Sequence, residues 1–335
     1  MTRCAITGLG LAVAFAIPAM GFADTGPAGT PLIEIGVRSI TLKPAELSGL
    51  RLSSAVVLTS ENADFGGFSG LSIEAGHMVA ISDRGHWLLA DLEDGPRGLV
   101  PVRAGYAAIT DADGARIERS GADAEGLTIR DGAFVVSFEQ DHRIMFHLEQ
   151  GRLGDTFRTR AFERLSGNAG LEGLATLPDG WLIAFAEEPV DGAAPFWTIS
   201  HAGTVEGGAL PLTGPERVTG ADVGPDGRLY LVLRDYRPIF GLSIRIERYD
   251  LTEEGFPLPG TRYRMAHFLS GSGIDNMEGI SVWTDAEGAT HLTLISDDNF
   301  SILQNTLLVD FEVLPDAVDD PVPQGDSAAT TPSGG

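Results

Sequence analysis

Short apolar runs separated by glycine-bearing turns recur along the chain, and five of them share one layout. Each has an apolar run, a turn, a second apolar run, and then a polar or charged residue. The first carries Phe68-Ser69-Gly70-Leu71, turns at Glu74-Ala75-Gly76 and ends on Asp83-Arg84. The second opens Asp123-Ala124-Glu125-Gly126-Leu127, turns at Asp131-Gly132 and ends on Glu139. The third opens Leu171-Glu172-Gly173-Leu174, turns at Asp179-Gly180 and ends on Glu187-Glu188. The fourth opens Thr219-Gly220-Ala221-Asp222, turns at Asp226-Gly227 and ends on Arg234-Asp235. The fifth opens Asn276-Met277-Glu278-Gly279-Ile280, turns within 285–288 and ends on Ser296-Asp297-Asp298-Asn299-Phe300. Each hairpin is followed by a further β-like run, such as 143–148 or 243–249.

A repeat of roughly 45–50 residues built from short strands predicts an all-β chain folded as a β-propeller. The β-like stretches 33–42 and 52–59, with the last run 305–313, supply one more blade by closing the ring. The expectation is therefore six blades, with five or seven left open, in a single domain spanning 32–314. The tail 315–335 has no apolar periodicity and is expected to be disordered.

Folding each hairpin symmetrically about its turn sets Glu278 opposite Asp297, Glu125 opposite Glu139 and Glu172 opposite Glu187. The same symmetry sets Thr219 opposite Arg234 and Ser69 opposite Asp83. The first strand of each blade lines the channel, so these pairs form a ring at one mouth. Clustered carboxylates are costly unless a cation or a bound proton relieves them.

Composition narrows the partners. Of 335 residues, 43% are hydrophobic and 21% charged, as in a soluble globular protein, and 43 glycines with 19 prolines suit many turns. Acidic residues outnumber basic ones 47 to 23, for a net charge of −24, which argues against nucleic acid or an anionic membrane surface as partner. Lys43 is the single lysine, so arginines must grip any anion. Residues 1–23 have the layout of a secretory signal, with Arg3 before an apolar stretch and Gly21-Phe22-Ala23 at the cleavage point. Residues 24–31 read as a linker. The sole cysteine, Cys4, lies inside the signal, so the mature chain has no disulfide. A periplasmic or secreted monomer with no membrane insertion after cleavage is expected.

The ring is the candidate chemistry. Glu125, Glu172, Asp222 and Glu278 are the candidate ligands of a hard cation, calcium above all, which takes several oxygen donors in flexible geometry. Arg84 and Arg234, with Asn299 closing over the mouth, are the candidates for holding a small anionic substrate. Asp83, His86 and Asp297 are the candidates for catalysis, His86 as a general acid. The alternative for the repeated acids is a structural role, fixing blade geometry. Phe68-Ser69-Gly70 fails as a nucleophile elbow because its second glycine is misplaced and no helix follows. Asp111-Ala112-Asp113-Gly114 is half a calcium loop and reads as a turn. Trp87, Trp181, Trp197 and Trp283 are expected to pack between blades.

The run Asn276-Met277-Glu278-Gly279-Ile280 with Ser296-Asp297-Asp298-Asn299-Phe300, together with the earlier Glu-Gly-Leu units, resembles the phytase-like family of exported bacterial proteins, described as having esterase-like activity of phytase. The likeness covers roughly 65–313. It implies a propeller and phosphoester hydrolysis, with calcium and the repeated Glu and Asp residues as site groups. Thr219 departs from the pattern, standing where other blades carry Glu. A single lysine also departs from the lysine-rich phosphate sites of alkaline phytase propellers. A lactonase or carboxylic-ester hydrolase propeller and a non-catalytic binding propeller are the alternatives.

Overall fold

The computed structural model describes residues 30–315, apart from 112, 119–120, 148–152, 166–169 and 240. The expected signal 1–23, most of the linker 24–31, and the tail beyond 315 lie outside the described residues. Among the described residues no helix is long and apolar enough to cross a membrane.

Three N-terminal strands come first: β1 (Gly36–Ser39), β2 (Glu46–Leu47) and β3 (Leu50–Thr59). Five antiparallel sheets follow. Blade one is β4 (Phe68–Glu74), β5 (His77–Ser82), β6 (His86–Gly95) and β7 (Gly98–Ala108). Blade two is β8 (Ala124–Arg130), β9 (Ala133–Phe138), β10 (Arg143–His147) and β11 (Leu153–Phe157). Blade three is β12 (Leu171–Thr176), β13 (Leu182–Ala186), β14 (Ala193–Ile199) and β15 (Val205–Pro211). Blade four is β16 (Arg217–Val223), β17 (Leu229–Arg237), β18 (Gly241–Tyr249) and β19 (Tyr263–Leu269), with β2 on its edge. Blade five is β20 (Asn276–Thr284), β21 (Thr290–Asp297) and β22 (Thr306–Val313), completed by β3 and β1.

The ring has five blades, not six. The N-terminal strands do not build a blade of their own. The last repeat has only three strands, and β3 pairs antiparallel with β22, from Thr306 opposite Leu58 to Val313 opposite Leu50. One sheet thus takes strands from both ends of the chain. This closes the circle and covers an edge that would otherwise be open for pairing.

Both faces of each blade are buried between neighbours, so the strands read as continuous apolar runs. On β17, Leu229, Leu231 and Leu233 pack toward blade three, while Tyr230 and Val232 pack toward blade five. The two-residue period of a strand produces this alternation. Five apolar clusters fill the five gaps between blades. Trp87, Trp181, Trp197 and Trp283 each sit in or against one of these gaps, as expected.

The first strand of every blade carries the same irregularity. The pairing slips at Ser69, Glu125, Glu172, Thr219 and Glu278, so that in each case the strand holds extra length opposite its partner. These are β-bulges, which redirect side chains. The glycine after each bulge is a steric necessity. A methyl group on Gly70 would lie 2.7 Å from Leu127 Cβ, on Gly126 2.8 Å from Leu174 Cβ, and on Gly173 2.9 Å from Val218 Cγ1. On Gly220 it would lie 2.0 Å from the carbonyl oxygen of Glu278, and on Gly279 2.9 Å from Leu71 N. Each glycine therefore admits the inner strand of the next blade, and the fifth contact returns to the first blade.

Gly220→Ala should destabilise the protein by about 1–3 kcal/mol or more, because the obstructing atom is backbone and cannot rotate away. Gly95→Ala, where nothing lies within 4 Å, should be near neutral. Urea unfolding of the two variants makes the comparison. Equal midpoints would show that the inner strands are not in closest contact at this position.

Candidate functional site

The bulges aim Glu125, Glu172 and Glu278 at the same end of the channel. Burial pushes the Glu125 carboxyl well above its ordinary range, and the charges of Glu172 and Glu278 push it further. Glu172 is raised by burial, then by Glu278 and Glu187, with Arg234 pulling the other way. The three predicted ring glutamates thus converge.

Their partners across each hairpin are not the ones simple symmetry predicts. Asp297 pairs with Asn276, and Glu139 and Glu187 donate their N–H groups to Asp123 O (2.8 Å) and Gly170 O (3.1 Å). The bulge is the reason. Extra length in the first strand carries Glu278, Glu125 and Glu172 past the pairing that a one-for-one count assigns. Both sets remain on the same mouth, so the ring holds Asp83, Asp123, Glu125, Glu139, Glu172, Glu187, Glu278 and Asp297.

Blade four supplies a cation where the others supply acids. Thr219 is buried and donates to Met277 O at 3.0 Å. Arg234 enters the ring through Nη1, which donates to Glu278 Oε1 at 2.7 Å and to Asn276 Oδ1, and through Nη2, which donates to Glu187 Oε1 at 3.0 Å. Arg217 adds a contact to Glu187 Oε2 at 3.1 Å. Burial works against the Arg234 charge, but Glu278, Glu172 and Glu187 more than offset it and raise its pKa. Arg234 is therefore an internal counter-ion of the ring.

The other side of the ring is acidic without such relief. Asp123, Glu125 and Glu139 each bring a carboxylate oxygen within 4.8 Å of the others. Glu139 Oε1 accepts from Gly170 N at 3.1 Å, and Gln140 Nε2 reaches Glu139 Oε2 at 3.4 Å. Glu172 Oε2 is buried with no hydrogen-bond partner. Burial raises Glu139 to about 7, aided by the Asp123 charge. Asp83 is pushed up to about 7 by burial and by Asp297 and Asp123, against the pull of Arg84. Burial also lifts Glu278 to about 8, with Asp297 raising it and Arg234 lowering it, and lifts Asp297 to about 6, with the Asn299 N–H lowering it.

Two predicted site residues lie elsewhere. Asp222 sits at the opposite mouth, three residues beyond Thr219 along β16, or about 10 Å at the rise of a strand. There its carboxylate accepts from Val282 N at 2.6 Å and Val223 N at 2.8 Å, tying blade four to blade five. Burial raises it to about 7 against those two N–H donors. His86 stands on the third strand of blade one, its ring stacked on Tyr106 at 5.1 Å and its Nε2 3.1 Å from Arg116 Nη2. It is buried, and two strands of the blade stand between it and the inner edge of the sheet.

Arg84 and Asn299 lie at the rim. The Arg84 guanidinium lies 3.1 Å above the Phe300 ring centroid. Asn299 is exposed, and its N–H donates to Asp297 Oδ1 at 2.6 Å, while Phe300 N donates to Asp298 Oδ1 at 3.0 Å. Asn299 and Phe300 both adopt left-handed backbone, with φ of 48° and 49°. The Asp297–Phe300 run is thus a turn held by its own carboxylates. Asp123, Asn276 and Arg217 join the ring without having been among the expected site residues. The signal for the first two was present, since both stand two residues before a bulged glutamate.

The family described as "Phytase-like: Esterase-like activity of phytase" matches residues 63–300. The chain belongs to the phytase-like family. The matched span includes every carboxylate of the ring. Among solved structures, this phytase-like chain is similar to a gluconolactonase from Xanthomonas campestris (13% identity, 84% of this chain and 97% of that one, TM-score 0.45). It is also similar to the PQQ-bound aldose sugar dehydrogenase of Streptomyces coelicolor (14%, 84% and 99%, TM-score 0.44) and to a glutaminyl cyclase of Myxococcus xanthus (12%, 85% and 100%, TM-score 0.44). All three are distant likenesses. No curated protein matches the sequence.

Unfolded, the ring carboxyls ionise near 4 (roughly 3.9–4.3). Folded, Asp83, Glu139, Glu278 and Asp297 keep protons until about 6 to about 8. Folding therefore takes up protons, so this contribution is complete below the unfolded pKa and is lost as pH rises through the folded values. The chelated protein should melt at a lower temperature near pH 8 than near pH 5, and Glu172→Gln should flatten that dependence. Differential scanning calorimetry checks it, and a melting temperature that climbs toward pH 8 would refute it. Arg234→Met should cost about 3–5 kcal/mol near pH 8, since it strands buried carboxylates, and clearly less near pH 5, as read by urea unfolding.

Proposed function

We propose that this phytase-like protein is a metal-assisted ester hydrolase working at the acidic mouth of the propeller, with a phosphoester as substrate. The observation that carries it is the Asp123–Glu125–Glu139 cluster, with oxygens within 4.8 Å of one another and the unpartnered Glu172 Oε2 buried in the same ring. The donors are all carboxylate oxygens on several strands, which fits a hard cation of flexible coordination such as calcium. Asp123, Glu125 and Glu139 would hold it, with Glu172 beside them. Glu278 is committed to Arg234 and Asn276, and Asp222 belongs to the other mouth. When bound, the cation supplies Lewis-acid polarisation of the ester and offsets the charge of its carboxylates.

The chain's own groups do the rest. Asp83, at about 7, can take up and return a proton at neutral pH, and its Oδ1 is buried with no hydrogen-bond partner. Asn276 reaches both Glu278 Oε1 (2.8 Å) and Asp297 Oδ2 (3.4 Å), holding those two acids in place. Arg234 acts by positioning Glu278 and Glu187. Arg84, at the rim over Phe300, is the cation placed to meet the anionic end of the substrate. A periplasmic or secreted setting, where calcium sites of modest affinity fill, suits this reading.

A second reading, hydrolysis of a carboxylic ester or lactone, is favoured by the scarcity of cations. Lys43 is the single lysine, and Arg234 and Arg217 are drawn into contacts with Glu187. Phosphate release from a simple phosphomonoester, against turnover of a lactone and carboxylic-ester panel, separates the two. The expected outcome is phosphate release that disappears with chelator, returns with calcium, and falls at least about a hundredfold in Glu125→Gln and Asp83→Asn. Turnover of the carboxylic panel alone would establish the second reading, and inactivity on both would count against either hydrolase reading.

A further inference from the structure

Of nine exposed large apolar side chains among the described residues, six gather on one face, the exceptions being Leu32, Leu47 and Leu258. Val190 lies in the β13–β14 connection, and Tyr236 and Ile239 at the tip of the β17–β18 hairpin. Leu269 ends β19, and Ile302 and Leu303 lie in the β21–β22 connection. All six stand on the face of the carboxylate mouth, on blades three, four and five. Ile239 is 89% exposed, Leu303 86%, and Ile302 fully. Three of these connections rise directly from ring residues: Glu187, Arg234 and Asp297.

Blades one and two differ. Their corresponding connections are the short polar turns Asp83-Arg84-Gly85 and Glu139-Gln140-Asp141-His142. Among the described residues, the exposed apolar side chains of the connections between second and third strands are therefore confined to blades three to five, and those connections in blades one and two are polar. Exposed apolar surface gathered in this way marks a binding surface.

Taking the ring as a hydrolase site, we propose that its substrate is an ester of an apolar alcohol, an alkyl or aryl phosphomonoester. The charged end would enter the ring and the hydrocarbon body would lie on the apolar rim. Charge complementarity favours this class over a polyanion. One phosphoryl group can be met by a cation at Asp123–Glu125–Glu139 and by Arg84, whereas further phosphates would face the remaining carboxylates of a chain with net charge −24. In the reaction, water adds to phosphorus, the phosphorus–oxygen ester bond breaks, and the released alcohol takes up the proton.

The test is kcat/KM for n-alkyl phosphates from ethyl to octyl, with calcium present, for the natural protein and an Ile239→Ser/Ile302→Ser/Leu303→Ser variant. The expected result is a rise of about twofold to fourfold per added CH2 until the rim is covered, expressed mainly in KM. The variant should lose more on the octyl ester than on the ethyl ester, with an unchanged melting temperature. A flat series with measurable turnover would overturn the proposal while leaving the hydrolase reading intact. If no ester is turned over, the hydrolase reading fails by itself, and calorimetric titration with alkylphosphonates of the same lengths decides the rim. Affinity rising with chain length would support an amphiphilic ligand, and flat or absent binding would overturn it. A flat series accompanied by binding to phosphatidylcholine vesicles, or by dimers that dissociate in the variant, would assign the rim to a membrane or to a second copy and overturn the proposal.

Discussion

Five inner strands approach one another so closely around the propeller axis that a single Cβ would obstruct each contact. This packing limit governs the rest. It requires glycine at Gly70, Gly126, Gly173, Gly220 and Gly279, and the bulge beside each glycine turns the preceding residue toward the channel. Where that residue is Glu125, Glu172 or Glu278, the constraint that closes the ring also crowds carboxylates. The fold and the site thus share one origin: the Glu-Gly pair supplies the functional group and the space its neighbour needs.

Crowded carboxylates are not equivalent, because blade four breaks the symmetry. Thr219 uses its hydroxyl to bind the neighbouring strand, and Arg234 neutralises Glu278 and Glu187 from the same blade. Charge relief is therefore local. One arc of the ring is internally paired, and the opposite arc, at Asp123, Glu125 and Glu139, is left with protons or a cation as its remedy. An equal set of acids around the axis would have given no reason to place a cation on one side.

Much of the architecture was legible in the chain because a propeller repeats. Apolar runs spaced by Gly turns, each ending on a charged residue, announced blades and a ring of charges. The blade number was less accessible. Counting 33–42, 52–59 and 305–313 as a sixth unit is sound by pattern, yet β3 and β1 complete the three-strand sheet of blade five, and β2 joins blade four. Strand pairing between distant parts of a chain leaves no local mark. His86 shows the same limit. It stands three residues after Asp83, but the turn at Gly85 sends it to the third strand and into a stack with Tyr106.

The repeat is written in the chain alone: strands of alternating faces, glycines at fixed places, and glutamates before three of those glycines. Periodicity and turn chemistry are local, so they can be read from neighbours along the chain. Which carboxylates share a mouth depends on how the blades close into a ring. The sequence placed Asp222 with the ring, and the fold put it at the other end of the channel as a clasp on Val282 N. The bulges, which come from the close approach of separate blades, set Asn276 opposite Asp297 and brought Asp123 to Glu139. That approach is a property of the closed ring, and no single hairpin contains it.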